Sequence, residues 1–84
     1  MNHRKLLTRL LAGDVQNVRF NDFVNLLKRF GFEKVRQEGS HQIFRHPLID
    51  QRINLQNVNG EAVAYQIRQF LRLVERENLT MSEE

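Results

Sequence analysis

The stretch Gly39-Ser40-His41-Gln42-Ile43-Phe44-Arg45-His46-Pro47 decides how this chain is read. Gly39-Ser40 is a tight-turn pair. Six residues able to form a strand follow, and the only proline in the chain closes them, because proline has no N–H to give to a ladder. Helix and then strand are read before this stretch, strand and then helix after it. It is therefore expected to be the central strand of a small sheet, over His41–His46. Successive side chains on a strand point to opposite faces. His41, Ile43 and Arg45 share one face, and Gln42, Phe44 and His46 share the other. Burying Phe44 removes more apolar area from water than burying Ile43. Phe44 is thus expected to meet the helices, leaving His41 and Arg45 on the open face.

Working outward, Phe32 to Glu38 reads as a strand whose one aliphatic is Val35, joined to the central strand by the Gly39-Ser40 turn. Leu48 to Gln51 reads as a loop. Arg52-Ile53-Asn54-Leu55-Gln56 alternates polar and apolar, the pattern of a half-buried strand. Asn57 to Gly60 reads as a further turn. Three short strands with short connections make an antiparallel meander.

The helices flank this sheet. Phe23, Leu26, Leu27 and Phe30 recur at i, i+3, i+4, i+7 and predict an amphipathic helix over 22–30. Asn21 is the expected N-cap, with Asp22 in the dipole-favoured first turn and Gly31 as the C′ residue. Ahead of a connector over 14–20, Leu6, Leu7, Leu10 and Leu11 predict a short helix over 3–12, stopped by Gly13-Asp14. Val63, Ile67, Phe70, Leu71 and Val74 predict a last helix from about Glu61 to Asn78. Arg68, Arg72 and Arg76 form a second stripe on it, expected to be solvated and partly paired by Glu75. The polar residues 80–84 are expected to fray.

The expected fold class is α+β: a three-stranded antiparallel sheet with helices on one face, plus an extra N-terminal helix. Its α-β-β-β-α core resembles the double-stranded-RNA-binding fold, a likeness from which function does not follow. The chain is read as one domain over 1–84, with an N-terminal helical extension (1–18), a core (20–79) and a tail (80–84).

Composition limits the function classes. A chain of 84 residues buries roughly 60–65% of the surface that it exposes when unfolded, enough for one modest core. It has no cysteine, which excludes disulfides and thiolate ligands and fits a reducing, cytoplasmic setting. No apolar run is long enough for a membrane span or a signal-peptide core, so no membrane partner is expected. Net charge is +3, unevenly spread. Residues 1–36 carry eight Lys/Arg against three acids, and residues 61–84 carry three against five. A basic first half suggests an anionic partner such as nucleic acid, or simply a well-solvated surface.

The histidines are the candidates for chemistry. His41 and His46 are five residues apart, so on a regular strand they face opposite ways and cannot share a metal or work as an acid–base pair. No thiol or carboxylate at ligand spacing makes up the deficit, and neither a metal nor a cofactor is expected. His41 follows a turn near Lys34 and Arg36, and an imidazole exchanges protons near neutrality. Spacing alone also allows a merely polar strand residue.

Gly31-Phe32, Val35-Arg36-Gln37, Gly39-Ser40-His41 and Ile43-Phe44-Arg45-His46-Pro47 together resemble the HicA toxin family, the HicA/YcfA-like mRNA interferases of type II toxin–antitoxin systems. The likeness runs over roughly residues 20–79, and its specific part is the Gly-Ser-His segment with its continuation to Pro47. It implies a double-stranded-RNA-binding-like fold, metal-independent endonucleolytic cleavage of mRNA, and a HicB-type antitoxin that covers the site. It matches His41 to the catalytic histidine of the family. His41 would then serve as general base on a ribose 2′-hydroxyl or as general acid on the leaving oxygen. Lys34, Arg36, Ser40 and Arg45 are the candidates to hold RNA and its scissile phosphate. Ser40 and Tyr65 are the candidates for the complementary proton donor. A base lacking its acid partner forgoes roughly 10²–10⁴-fold, which implies a slow enzyme. The alternatives are a non-catalytic RNA-binding module and a protein-interaction subunit that uses its N-terminal helix.

Overall fold

A computed structural model describes residues 2–82. The elements in chain order are α1 (His3–Leu11), α2 (Phe20–Arg29), β1 (Glu33–Glu38), β2 (His41–His46), β3 (Ile49–Val58), β4 (Glu61–Ala62) and α3 (Ala64–Arg76). The strands form one antiparallel sheet in the order β1-β2-β3-β4. The fold is α+β as expected, but the sheet has four strands rather than three.

The fourth strand comes from Asn59-Gly60. Both residues lie at positive φ, +53° and +84°, the geometry of a two-residue type I′ turn whose twist suits a hairpin. Val58 then pairs with Glu61 and Asn57 with Ala62. Glu61 is therefore strand, and the last helix begins at Ala64 instead of Glu61. It ends at Arg76. β3 is also longer than expected. Pro47-Leu48 alone turns the chain, with His46 opposite Ile49, so the expected loop over 48–51 is mostly strand. Between Phe44 and His46 the partner strand runs from Ile53 to Ile49, four steps against two. That irregularity erases the alternation by which a strand is recognised.

α2 starts at Phe20, with Arg19 at the cap position and no side-chain cap, so Asn21 is helical rather than the N-cap. Tertiary bonds set this start. The Phe20 N–H donates to the Gly60 carbonyl at 2.9 Å, and the Ala62 N–H donates to Val18 at 2.8 Å. One orphan donor of the helix is thereby satisfied by the turn that leads into β4. The other end follows expectation. Gly31 stands at φ +94°, Gly31 N–H donates to Lys28, and Phe32 N–H donates to Leu27. This is a Schellman motif, and it sends Phe32 into the core and aims β1. Asn78 plays the glycine role after α3, at φ +53°, with Leu79 N–H donating to Val74.

The helices pack on the Phe44 side of the sheet. Phe44, Ile53 and Leu55 from the strands meet Phe23, Leu26, Leu27 and Phe30 of α2 and Ile67, Phe70 and Leu73 of α3 in one cluster. Phe70 is its hub, edge-on to Phe23, Phe30 and Phe32 at 5.4, 5.4 and 5.9 Å between centroids. Such pairs add about 0.5–1.5 kcal/mol each beyond their buried area. Leu6 and Leu10 of α1 belong to the same cluster. The residues after α3 also differ from expectation: Met81 packs against the core, and the Ser82 N–H donates to the Arg29 carbonyl at 2.8 Å. The rest of the expected frayed tail, residues 83 and 84, lies outside the described residues. The stripe on α3 is solvated, but its one ion pair among the described residues joins Arg76 to Glu77, not to Glu75. No helix among the described residues is long and apolar enough to cross a membrane.

Candidate active site

β2 separates its side chains as the period-two reading requires. Phe44 is fully buried and His46 only 9% exposed, while His41 and Arg45 are exposed on the other face. The two histidines thus stand on opposite sides of the sheet. His46 is structural. Its ring lies edge-on to Phe32 at 5.2 Å, and its Nδ1 accepts from the Leu48 N–H at 3.1 Å. Nδ1 is therefore the unprotonated nitrogen. Its Nε2 sits so close beneath Gly31 that a Cβ there would approach to 2.9 Å.

His41 opens β2 directly after the hairpin turn. Gly39 takes φ +59° and Ser40 does not have positive φ, which is the type II′ pattern with glycine first. The Ser40 carbonyl accepts from the Asn57 N–H at 2.9 Å, so the turn is tied to β3. The His41 Nδ1 lies 3.3 Å from the Asn54 Oδ1. An amide oxygen only accepts, so Nδ1 is the donor and carries the proton in that bond. On the neutral ring Nε2 is then the acceptor, on a side chain that is exposed.

The cations around His41 are sorted by a bulge. In β1, Lys34 is opposite Phe44 and Arg36 is opposite Ile43, so Val35 is an inserted residue. Without it, Lys34 and Arg36 would share a face. With it, Arg36 joins His41 on the open face while Lys34 turns to the helix side. Lys34 Nζ donates there to Gln37 Oε1 at 3.0 Å. Arg45 is on the His41 face but roughly 13 Å further along the strand, held 3.0 Å from Glu33. Arg36 is thus the candidate cation nearest to His41 by register, and it pairs with Glu38 at 3.6 Å. Tyr65 lies in the first turn of α3, on the other layer.

Asn54 and Glu38 were missed in the sequence. Glu38 is the register partner of His41, and Asn54 pairs with Ile43 one step along the same face. The alternation of Arg52-Ile53-Asn54-Leu55-Gln56 already placed Asn54 on the solvent side of β3. What was lacking was the β2–β3 register that brings it to His41. Among the described residues no group of three His, Asp or Glu side chains could hold a metal ion.

A family model described as the HicA toxin of bacterial toxin-antitoxin matches residues 20–75, which run from the first residue of α2 almost to the end of α3. The chain belongs to the HicA toxin family. It is accordingly the toxin of a toxin–antitoxin pair, and an antitoxin is its partner. Comparison with curated proteins and with solved structures found no significant match. The HicA match takes in β1, β2, β3 and the whole exposed face around His41, and it leaves α1 outside.

Proposed function

We propose that this HicA-family toxin is a metal-independent endoribonuclease that cleaves mRNA with His41 as its catalytic base, and that a HicB-type antitoxin silences it by covering the open face of the sheet. The observation that carries this reading is the contact of His41 Nδ1 with Asn54 Oδ1 on the exposed face: with Nδ1 as the donor, Nε2 is the nitrogen available to accept a proton. In the reaction, Nε2 takes the proton of a ribose 2′-hydroxyl. The 2′-oxygen attacks the adjacent phosphorus, the bond from phosphorus to the 5′-oxygen breaks, and that oxygen leaves with a proton from water or from a second group on the face. Arg36 carries the added charge on the phosphate, and the exposed Ser40 stands next to His41 in the hairpin turn. Arg45 contacts the strand further along. The 2′-hydroxyl makes the reaction specific to RNA. The order α2-β1-β2-β3-α3, with the two-residue β4 inserted before α3, supports the double-stranded-RNA-binding-like reading, and the cysteine-free composition supports a cytoplasmic setting.

The test is His41→Ala. His41 is exposed and outside the core, so the variant should fold, bind RNA with nearly unchanged affinity, and neither cleave it nor arrest growth. Cleavage at the wild-type rate by the variant would overturn the assignment. RNA binding without cleavage by the wild-type chain would favour a non-catalytic RNA-binding module.

A further inference from the structure

The bulge at Val35 sends Lys34 to the side of the sheet that the cleavage reading does not use. On that side α2 presents Asn21, Asn25 and Lys28 at i, i+4, i+7, one polar stripe along the helix. These three, with Lys34 and Gln42, surround an open pocket of about 350 Å³ that Val24 and Phe44 also line. No carboxylate lines it. The bonding partner of Lys34 is the neutral Gln37 amide, and Lys28 makes no ion pair among the described residues. Two ammonium groups therefore share one pocket with three side-chain amides and no opposing charge. Such a set can receive an anion, and amide N–H groups can donate to the same anion or to a base edge.

The pocket stands back to back with His41. Gln42 is the next residue on β2 and points the other way. β1 is the edge strand between the two faces, exposed along its whole length. A strand of RNA lying across His41 and Arg36 reaches the pocket by passing over that edge. The charged groups of the pocket are lysines, and an ammonium binds a phosphate as a point charge.

We propose that the pocket between α2 and β1 is a second phosphodiester-binding site, which holds a backbone phosphate of the same RNA strand away from the scissile bond. This rests on the RNA reading given above. Its consequence is that the toxin grips RNA on both sides of β1, so Lys34 serves binding rather than transition-state stabilisation at His41.

The experiment uses the full chain carrying His41→Ala and a short single-stranded RNA oligonucleotide, with affinity measured against salt concentration. Each phosphate contact on a single strand contributes about 0.7 to the slope of log affinity on log salt. Adding Lys28→Gln and Lys34→Gln removes the one phosphate contact and should lower the slope by about 0.7, whereas Lys28→Arg with Lys34→Arg should keep it. RNA should also shift the side-chain amide resonances of Asn25 and Gln42. An unchanged slope in the double glutamine variant overturns the second site while the RNA reading stands. Equal loss in the arginine pair overturns it too, because charge would not be the cause. Loss of antitoxin binding with RNA binding intact assigns the pocket to a protein partner instead. Failure of the parent His41→Ala chain to bind RNA at all removes the RNA reading itself.

Discussion

The Nδ1 of His41 on β2 lies 3.3 Å from the Oδ1 of Asn54 on β3. The two are not register partners: Asn54 pairs with Ile43 and His41 with Gln56. The contact is a diagonal one, within the reach of neighbouring side chains on one face. It fixes which ring nitrogen is free to take a proton. Asn54→Leu should lower RNA cleavage by about two- to tenfold, the worth of one net hydrogen bond of about 0.5–1.5 kcal/mol. It should also move the imidazole ¹⁵N resonances of His41 away from the Nδ1–H form, whereas Asn54→Asp keeps the acceptor and the tautomer. Unchanged resonances in the leucine variant would show that the bond does not set the tautomer.

Gly31 and His46 are locked together by a close approach. Gly31 stands at φ +94°, and a Cβ there would come within 2.9 Å of His46 Nε2. Gly31→Ala combines left-handed backbone strain with a clash against a buried ring, and should cost about 1–3 kcal/mol. A domain of this size loses about 4–8 °C of Tm for each kcal/mol, which a thermal melt resolves. His46→Ala in the same chain should make the two losses less than additive, since the clash is gone. Strict additivity would mean that the ring is not what the new methyl meets.

α1 lies outside the family match but inside the core. Leu6 and Leu10 are buried, so truncating either to alanine should cost about 2–5 kcal/mol. The whole chain is expected to be stable by roughly 4–13 kcal/mol, and Leu6→Ala with Leu10→Ala should leave much of it unfolded at 37 °C. Leu11, exposed on the same helix, is the control: Leu11→Ala should stay within about 0.5 kcal/mol. Urea titrations of the three variants decide the matter, and a stable double variant would make α1 a dispensable extension.

How far the sequence could be read depended on whether a signal was local. Phe44 against the helices, His41 on the open face, Gly31 at the end of α2 and the separation of the two histidines all follow from period and turn chemistry within a few residues. The features missed were set by pairing between strands. The bulge at Val35 leaves no local mark, yet it decides that Lys34 and Arg36 face opposite ways. The extra residues of β3 opposite Arg45 erase the alternation of Ile49 to Arg52. Asn21 had every attribute of a cap, but a bond from Phe20 to Gly60 across the fold set the helix start instead. Only β4 was within reach, because Asn59-Gly60 is a hairpin signal in its own right.

On the proposed RNA reading, Glu38 is the residue whose charge would run against binding. It is the register partner of His41, and Arg36 lies 3.6 Å from its carboxylate. Both side chains are more than 60% exposed, so the pair contributes little to stability. Its effect should fall on the ligand instead. The carboxylate engages the one cation nearest to His41 and adds a negative charge where a phosphate is expected to sit. Glu38→Gln removes that charge, keeps the shape and frees Arg36. RNA affinity in the His41→Ala background should rise by about 1.4- to fivefold, the scale of an exposed charge interaction of roughly 0.2–1 kcal/mol. The gain should shrink as salt is added, because exposed charges are screened. Filter binding at two salt concentrations measures it. Affinity that is unchanged or lower at low salt would mean that RNA does not pass between His41 and Arg36, and would redirect the path of the strand along β3.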